Sequence, residues 1–215
     1  MKNLVFWIFR ISFLLVLPFA VLIRGSVYLH KNLEVFPRLA LLGGLALTFV
    51  LLFLYLTFFY GRVTGDWGSS GSFKRRAIIL MVFLLTYCGY ALFYVSGANV
   101  KNPAVASEFR SLHPILRLGI SSAIFVDPAL LITDADRIPE DYDTMGLKRK
   151  SESLHYRQDS GYVHAVDIRT NDRSSLRNWL LKLYFRSMGF NVLRHVGTAD
   201  HLHVSLYSRQ APYGK

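Results

Sequence analysis

The sequence predicts two parts in series: three membrane-spanning helices, then an α+β domain whose small antiparallel sheet is backed by packed helices. Three observations carry this. Residues 4–23, 39–60 and 77–95 are nearly uncharged apolar runs, each close to the roughly 20 residues that a helix needs to cross ~30 Å of hydrocarbon. From about residue 99 the apolar runs shorten, turn residues appear and charges of both signs alternate. Within that second part, segments of period-two hydrophobicity flank one strongly patterned helix. The division is therefore 1–98 for the membrane part and 99–215 for the second domain, whose size is ordinary for one unit.

In the first run only Arg10 intrudes, near enough to an end to snorkel. The run is longer than the apolar region of a signal peptide, and Leu22-Ile23-Arg24-Gly25 offers no small-x-small cleavage site, so it reads as a retained anchor. His30 falls between the first two runs. The Gly/Ser-rich stretch 65–72 lacks the Lys-Ser/Thr of a phosphate-binding loop and reads as a connector. Apart from Arg10 the runs have none of the ionisable residues that mark a transport pathway.

The formal charge of +11 is uneven: residues 1–100 hold nine Lys/Arg and two acids, and the remainder sixteen and twelve. Most of the excess flanks the spans. The connection 61–76 carries Arg62, Lys74, Arg75 and Arg76, against Arg24, Lys31 and Arg38 in 24–38, and Lys2 and the α-amino group add to the first side. The positive-inside rule then puts the N-terminus in the cytoplasm and the C-terminal domain outside it. Clustered base-reading aromatic and basic residues are missing, so the charge points to lipid rather than nucleic acid. The single cysteine, Cys88, lies in the third run, which excludes an intrachain disulfide and a Cys-rich zinc module.

In the second part, 104–118 reads as helix broken at Pro114. Residues 130–133 form a short strand running into Asp134-Ala135-Asp136-Arg137, and 140–153 is polar loop. Residues 163–169 alternate as a strand. Residues 173–188 form a helix with Asn171 and Asp172 as cap candidates and Gly189 as its stop. Its stripe of Leu176, Leu180, Leu183 and Met188, with Trp179, should pack on the sheet. Strands over 190–195 and 202–207 complete the set.

Strand parity selects the functional candidates. Along 163–169, Asp167 shares a face with Val163, Ala165 and Arg169, while His164 points the other way. His155, in the preceding loop, can converge with Asp167. The same parity puts His201 and His203 on one face of the last strand. Two imidazoles and a carboxylate form a donor set that zinc accepts at about 2.0–2.2 Å, with a fourth position left for water. Asp200, just before that strand, is placed to take a proton, and Arg137 to meet a developing negative charge. His113, His164 and His195 read as structural.

The words Ser153-Leu154-His155-Tyr156, Ala165-Val166-Asp167-Ile168 and His201-Leu202-His203-Val204-Ser205, in that order with a helix between them, resemble the zinc site of the D-Ala-D-Ala metallopeptidase superfamily and of its relative, the hedgehog signalling domain. The resemblance covers roughly residues 130–206. It implies one zinc ion on His155, Asp167 and His203, with Asp200 as general base. It nominates Arg137, in Asp134-Ala135-Asp136-Arg137-Ile138-Pro139, as the substrate-clamping arginine and leaves His201 for a supporting role near the oxyanion. The implied partners are peptidoglycan peptides, cut at stem or cross-link bonds, and the implied setting is a bacterial inner membrane, for a protein of the bacterium or of a virus that enters it.

There are two departures from the family pattern. Eleven residues separate His155 from Asp167 where the family has six, so an insertion within 157–161 must bulge out, eased by Gly161, and a register in which His201 replaces His155 stays open. Val163 stands where the family has glycine. These departures motivate an alternative in which a hedgehog-like domain keeps the metal and binds cell-wall peptides or a protein partner without cleaving them.

Overall fold

The computed structural model describes residues 2–65, 67–146, 148–149, 152–197 and 200–208. Position 66 of the expected connector, and 147, 150 and 151 of the expected loop, lie outside the described residues. Among those described, the chain forms seven α-helices and one four-stranded antiparallel sheet, an α+β arrangement.

Helices α1 (Lys2–Asn32), α2 (Pro37–Thr64) and α3 (Ser70–Phe93) are each long and apolar enough to cross a membrane. All three outrun the expected spans at one or both ends. With 31 residues, α1 is about 46 Å long, longer than a span of ~30 Å requires, and its last turns place His30 on a helix rather than in the expected loop. Helix α3 begins at the N-cap Ser69, whose side chain accepts from the Ser72 amide, which shortens the connector to a turn.

The extra length of α1 joins the two parts. Leu22, Ile23 and Val27 are buried in one apolar cluster with Leu116, Leu118 and Ile120 of α5 (Pro114–Val126), and the cluster continues into the sheet. The break expected at Pro114 is present: α4 (Pro103–Glu108) and a 3-10 turn precede it, and Pro114 opens α5, where its missing N–H costs nothing.

Strands β1 (Ile132–Asp134), β2 (Ala165–Arg169), β3 (Asn191–His195) and β4 (His201–Ser205) lie in the order β1-β2-β4-β3. Helix α6 (Pro139–Thr144) occupies part of the stretch expected as loop, capped by the Asp141 carboxylate on the Ile138 amide. Val166, Ile168, Leu202, Val204 and Val192 are buried on one sheet face, backed by α5 and by α7 (Ser175–Ser187). The opposite face carries Asp167, His201 and His203.

Helix α7 corrects two expectations. Its N-cap is Ser174, which accepts from the Arg177 amide, not Asn171 or Asp172. Its inward stripe is Asn178, Leu181 and Phe185, followed by Met188, whereas Leu176, Trp179, Leu180 and Leu183 are exposed. The segment offers two apolar stripes at helical spacing, and the one in phase with Met188 and Phe190 turns inward because the chain reverses there into β3.

Candidate metal centre

Adjacent strands set the centre. In the β2–β4 ladder Asp167 sits directly opposite His203, and Arg169 opposite His201, so the carboxylate and both imidazoles project from one face. In β1, two residues oppose one of β2 between the pairs Ile132–Ile168 and Asp134–Asp167. This bulge brings Asp134 beside Asp167 and turns the chain towards Arg137.

His155 arrives from outside the sheet. The inserted residues fold into a closed turn: Arg157 bridges Val163, the Gln158 amide donates to the Tyr162 carbonyl at 2.9 Å, and the Gly161 amide donates to the Gln158 carbonyl at 2.7 Å. Gly161 has φ +77°, which a glycine adopts without strain. The segment thus closes on itself before β2, and His155 reaches the sheet face that carries Asp167. Val163 is fully buried, and its backbone bonds to Ser111 and His113.

The three donor atoms converge. His155 Nε2 lies 3.2 Å from His203 Nδ1 and 3.3 Å from Asp167 Oδ1, and His203 Nδ1 lies 3.0 Å from Asp167 Oδ1. Ligand atoms about 2.0 Å from a tetrahedral ion stand about 3.3 Å apart, so the triangle has the size of one face of a zinc site. The ring of His155 is 3% exposed, and its Nδ1 is 2.8 Å from the Ala135 carbonyl oxygen. A carbonyl only accepts, so in the neutral ring Nδ1 carries the proton and Nε2 turns its lone pair to the cluster, the tautomer that a metal requires. Among the described residues this is the one group of histidines and acids whose donor atoms meet in this way.

Surrounding groups hold the ligands. Arg137 Nη2 donates to Asp167 Oδ2 at 2.6 Å and Nε to Asp134 Oδ1 at 2.9 Å. Glu108, on α4, accepts from the amides of Ala135 and Asp136, fixing the turn that carries both the Ala135 carbonyl and Arg137. Burial pushes the Asp167 carboxyl up, but the adjoining imidazoles of His155 and His203 and the Arg137 charge outweigh it, and the pKa falls well below the usual carboxylate range. Burial likewise opposes the Arg137 charge and is outweighed by Asp167 and Asp134, so its pKa rises.

Of the remaining candidates, His201 lies beside the triangle and Asp200 does not. His201 Nε2 is 3.7 Å from Asp167 Oδ1, and its side chain is 25% exposed, so it borders the open side of the triangle. His195 stacks on His201 with centroids 4.8 Å apart, which gives the strand-end histidine a place in the rim. Asp200 accepts from Arg194 Nη2 at 2.8 Å and from Thr170 Oγ1 at 2.6 Å; Arg194 opposes Leu202, on the face opposite to His201 and His203, so the expected base is held on that side of the sheet, and these two bonds keep its pKa below the usual value. The guanidinium of Arg137 is directed to Asp134 and Asp167 rather than to the open side. His164 faces away, as parity requires, into a buried group with His113.

Nothing in the sequence marks Glu108, Thr170 or Arg194, whereas Asp134 and Asp136 are readable there as possible ion-pair partners of Arg137, and the structure selects Asp134. No protein-family model, curated protein or solved structure matches the chain.

Proposed function

We propose that the chain is a membrane-anchored zinc peptidase acting on peptidoglycan peptides, with its N-terminus in the cytoplasm and its C-terminal domain on the side where a cell wall is reachable. The observation that carries this is the triangle of His155 Nε2, His203 Nδ1 and Asp167 Oδ1, with edges of 3.0–3.3 Å, built from three separate segments. A zinc ion held by His155, Asp167 and His203 would supply Lewis-acid chemistry there.

The chain's own residues have distinct parts. Asp167 and the two histidines bind. Arg137 orients the Asp167 carboxylate so that Oδ1 faces the histidines. Asp200, kept ionised by Arg194 and Thr170, takes a proton and returns it to the leaving amine. His201, at the open side, donates to the substrate's carboxylate or carbonyl oxygen.

One observation favours a second reading. Both Arg137 and Asp200 are engaged in internal ion pairs, as suits a hedgehog-like domain that keeps the metal and binds wall peptides without cutting them. Full-length protein in detergent separates the two. Elemental analysis should give about one zinc per chain, and mass spectrometry of treated peptidoglycan should show shortened stems or opened cross-links. Zinc-loaded protein that binds muropeptides without turnover would establish the second reading, and protein that takes up no zinc at micromolar metal would overturn both.

A further inference from the structure

Helix α7 lies at the level of the membrane spans. The Tyr184 hydroxyl donates to the Gly119 carbonyl at 2.8 Å and also bonds to Ser122, which is paired with Tyr87 of α3. Tyr87 stands six residues before the end of α3, about 9 Å along its axis. In the same last turn of α7, Arg24 Nη1 donates to the Ser187 carbonyl at 2.6 Å. Arg24 follows directly on the apolar run of α1, so this contact marks the hydrocarbon boundary.

The surface that α7 turns outward is apolar. Leu176, Trp179, Leu180 and Leu183 are 49–64% exposed, and at 100° per residue they share one sector roughly 100° wide. Tyr184 borders this sector on the side of α5, and Arg186 and Lys182 follow on the other. Beside this sector stand exposed apolar residues at the end of α5, which in turn meet aromatic rings at the end of α3. Val126 is 85% and Phe125 59% exposed, and the Phe125 ring lies 5.7 Å from that of Tyr90 and 6.1 Å from that of Tyr87. Between α5 and α7 an apolar groove is lined by Ala123, Val126, Leu180, Leu181 and Tyr184, with the Asp127–Arg177 ion pair at its rim.

We infer that α7 is an interfacial helix, its Leu176–Trp179–Leu180–Leu183 sector embedded in the acyl region of the leaflet that α3 enters at its C-terminal end. The inference rests on the reading of α1–α3 as membrane spans and on the exposed apolar residues at the end of α5, which stand beside α7 and meet α3. An apolar sector flanked by Lys182 and Arg186 is the arrangement that lies in a bilayer interface, with its basic side chains among anionic head groups. The consequence for the site is directional. The sheet's buried face rests on α5 and α7, so the Asp167–His203 face opens away from the lipid.

Nitroxides on Leu180→Cys and Leu183→Cys in the full chain, in a Cys88→Ser background and reconstituted in phosphatidylcholine–phosphatidylglycerol nanodiscs, test this. Collision rates with oxygen should exceed those with a water-soluble nickel chelate several-fold, as at Leu85→Cys on the exposed surface of α3, and opposite to Asp159→Cys in the inserted loop. Nickel access at 180 and 183 equal to that at 159, with 85 still lipid-facing, overturns the inference alone. Shielding from both reagents means a protein covers the sector and also overturns it. A water-accessible 85 overturns the spanning reading and this inference together. Trp179 provides a measurement that leaves α7 unlabelled: in a Trp7→Phe, Trp67→Phe protein its fluorescence should be quenched by brominated acyl chains, and quenching by aqueous acrylamide instead would overturn the placement.

Discussion

Arg137 and Asp167 form a 2.6 Å charge-assisted bond that uses the one carboxylate oxygen not facing the histidines. Arg137 therefore acts on the centre through Asp167, and it is itself held by Asp134 on the bulged strand. Arg137→Gln leaves the three donor atoms in the sequence but frees the carboxylate to rotate. Zinc affinity, measured by competition with a chromophoric chelator, should fall about 10–100-fold, the usual cost of losing an outer partner of a ligand. Unchanged affinity would show that the ligand geometry does not depend on the arginine.

Asp200 and Arg194 allow activity to be separated from metal binding. Neither side chain is among the three converging donors, and they pair with each other at 2.8 Å. Asp200→Asn should keep its zinc and lose peptidase turnover about 10²–10⁴-fold, the range that a general acid–base group contributes. Arg194→Ala should retain zinc and most of the fold, since the pair is partly exposed and such bridges contribute little. Loss of zinc in Asp200→Asn would mean that the carboxylate supports the ligands rather than the chemistry.

Strand parity was enough to put Asp167 and His203 on one face and His164 on the other, because an antiparallel ladder fixes which side chains can meet. The spans were legible because length and lack of charge suffice to find them. The second stripe of α7 was not legible: Leu176, Leu180 and Leu183 repeat at the same spacing as Leu181, Phe185 and Met188, and only the reversal at Gly189 selects between them. Nor was the role of Arg137. Its partner Asp167 lies 30 residues away, and the β1 bulge that brings them together depends on which residues of β1 and β2 pair, which local pattern does not specify.

Acid should destabilise the fold through the histidines on the buried side. His164 is fully buried, and its pKa is lowered to about 4, first by burial and then by His30; His113 is lowered well below its usual value by burial, then by His164, His30 and Arg117. The groups packed around them include His30 and Lys31 of α1, Arg117 of α5, and Tyr162, which is bonded to Arg38 of α2, a surrounding that adds positive rather than negative charge. Folded-state pKa values below the unfolded ~6.5 mean that the unfolded chain binds more protons. The contribution is present above about pH 6.5 and is lost as pH falls, on the order of 3 kcal/mol for His164 by about pH 4. Thermal unfolding of the detergent-solubilised protein at pH 7.5, 5.5 and 4.5 should show a falling midpoint, with a shallower slope in His164→Gln. A midpoint independent of pH over that range would contradict the burial of neutral imidazoles.

The close approach of α1 and α2 depends on a missing side chain. A Cβ added at Gly44 would stand 2.1 Å from Ser26 Oγ and 2.7 Å from the Leu22 carbonyl oxygen. Backbone cannot yield as a flexible side-chain tip does, and Ser26 is fully buried with its hydroxyl bonded to that same carbonyl at 2.7 Å. Contacts of this kind let helices in lipid pack backbone to backbone. Leu22 and Ile23 of this crossing also belong to the apolar cluster that joins α1 to α5, so separating the helices strains the seat of the second domain. Gly44→Val should therefore lower stability by about 1–3 kcal/mol, the usual cost of overpacking, and should do so for the membrane part and the zinc-binding part together. Thermal unfolding followed by tryptophan fluorescence and by zinc release should shift by the same amount in this variant. A shift in fluorescence alone would show that the two parts unfold independently.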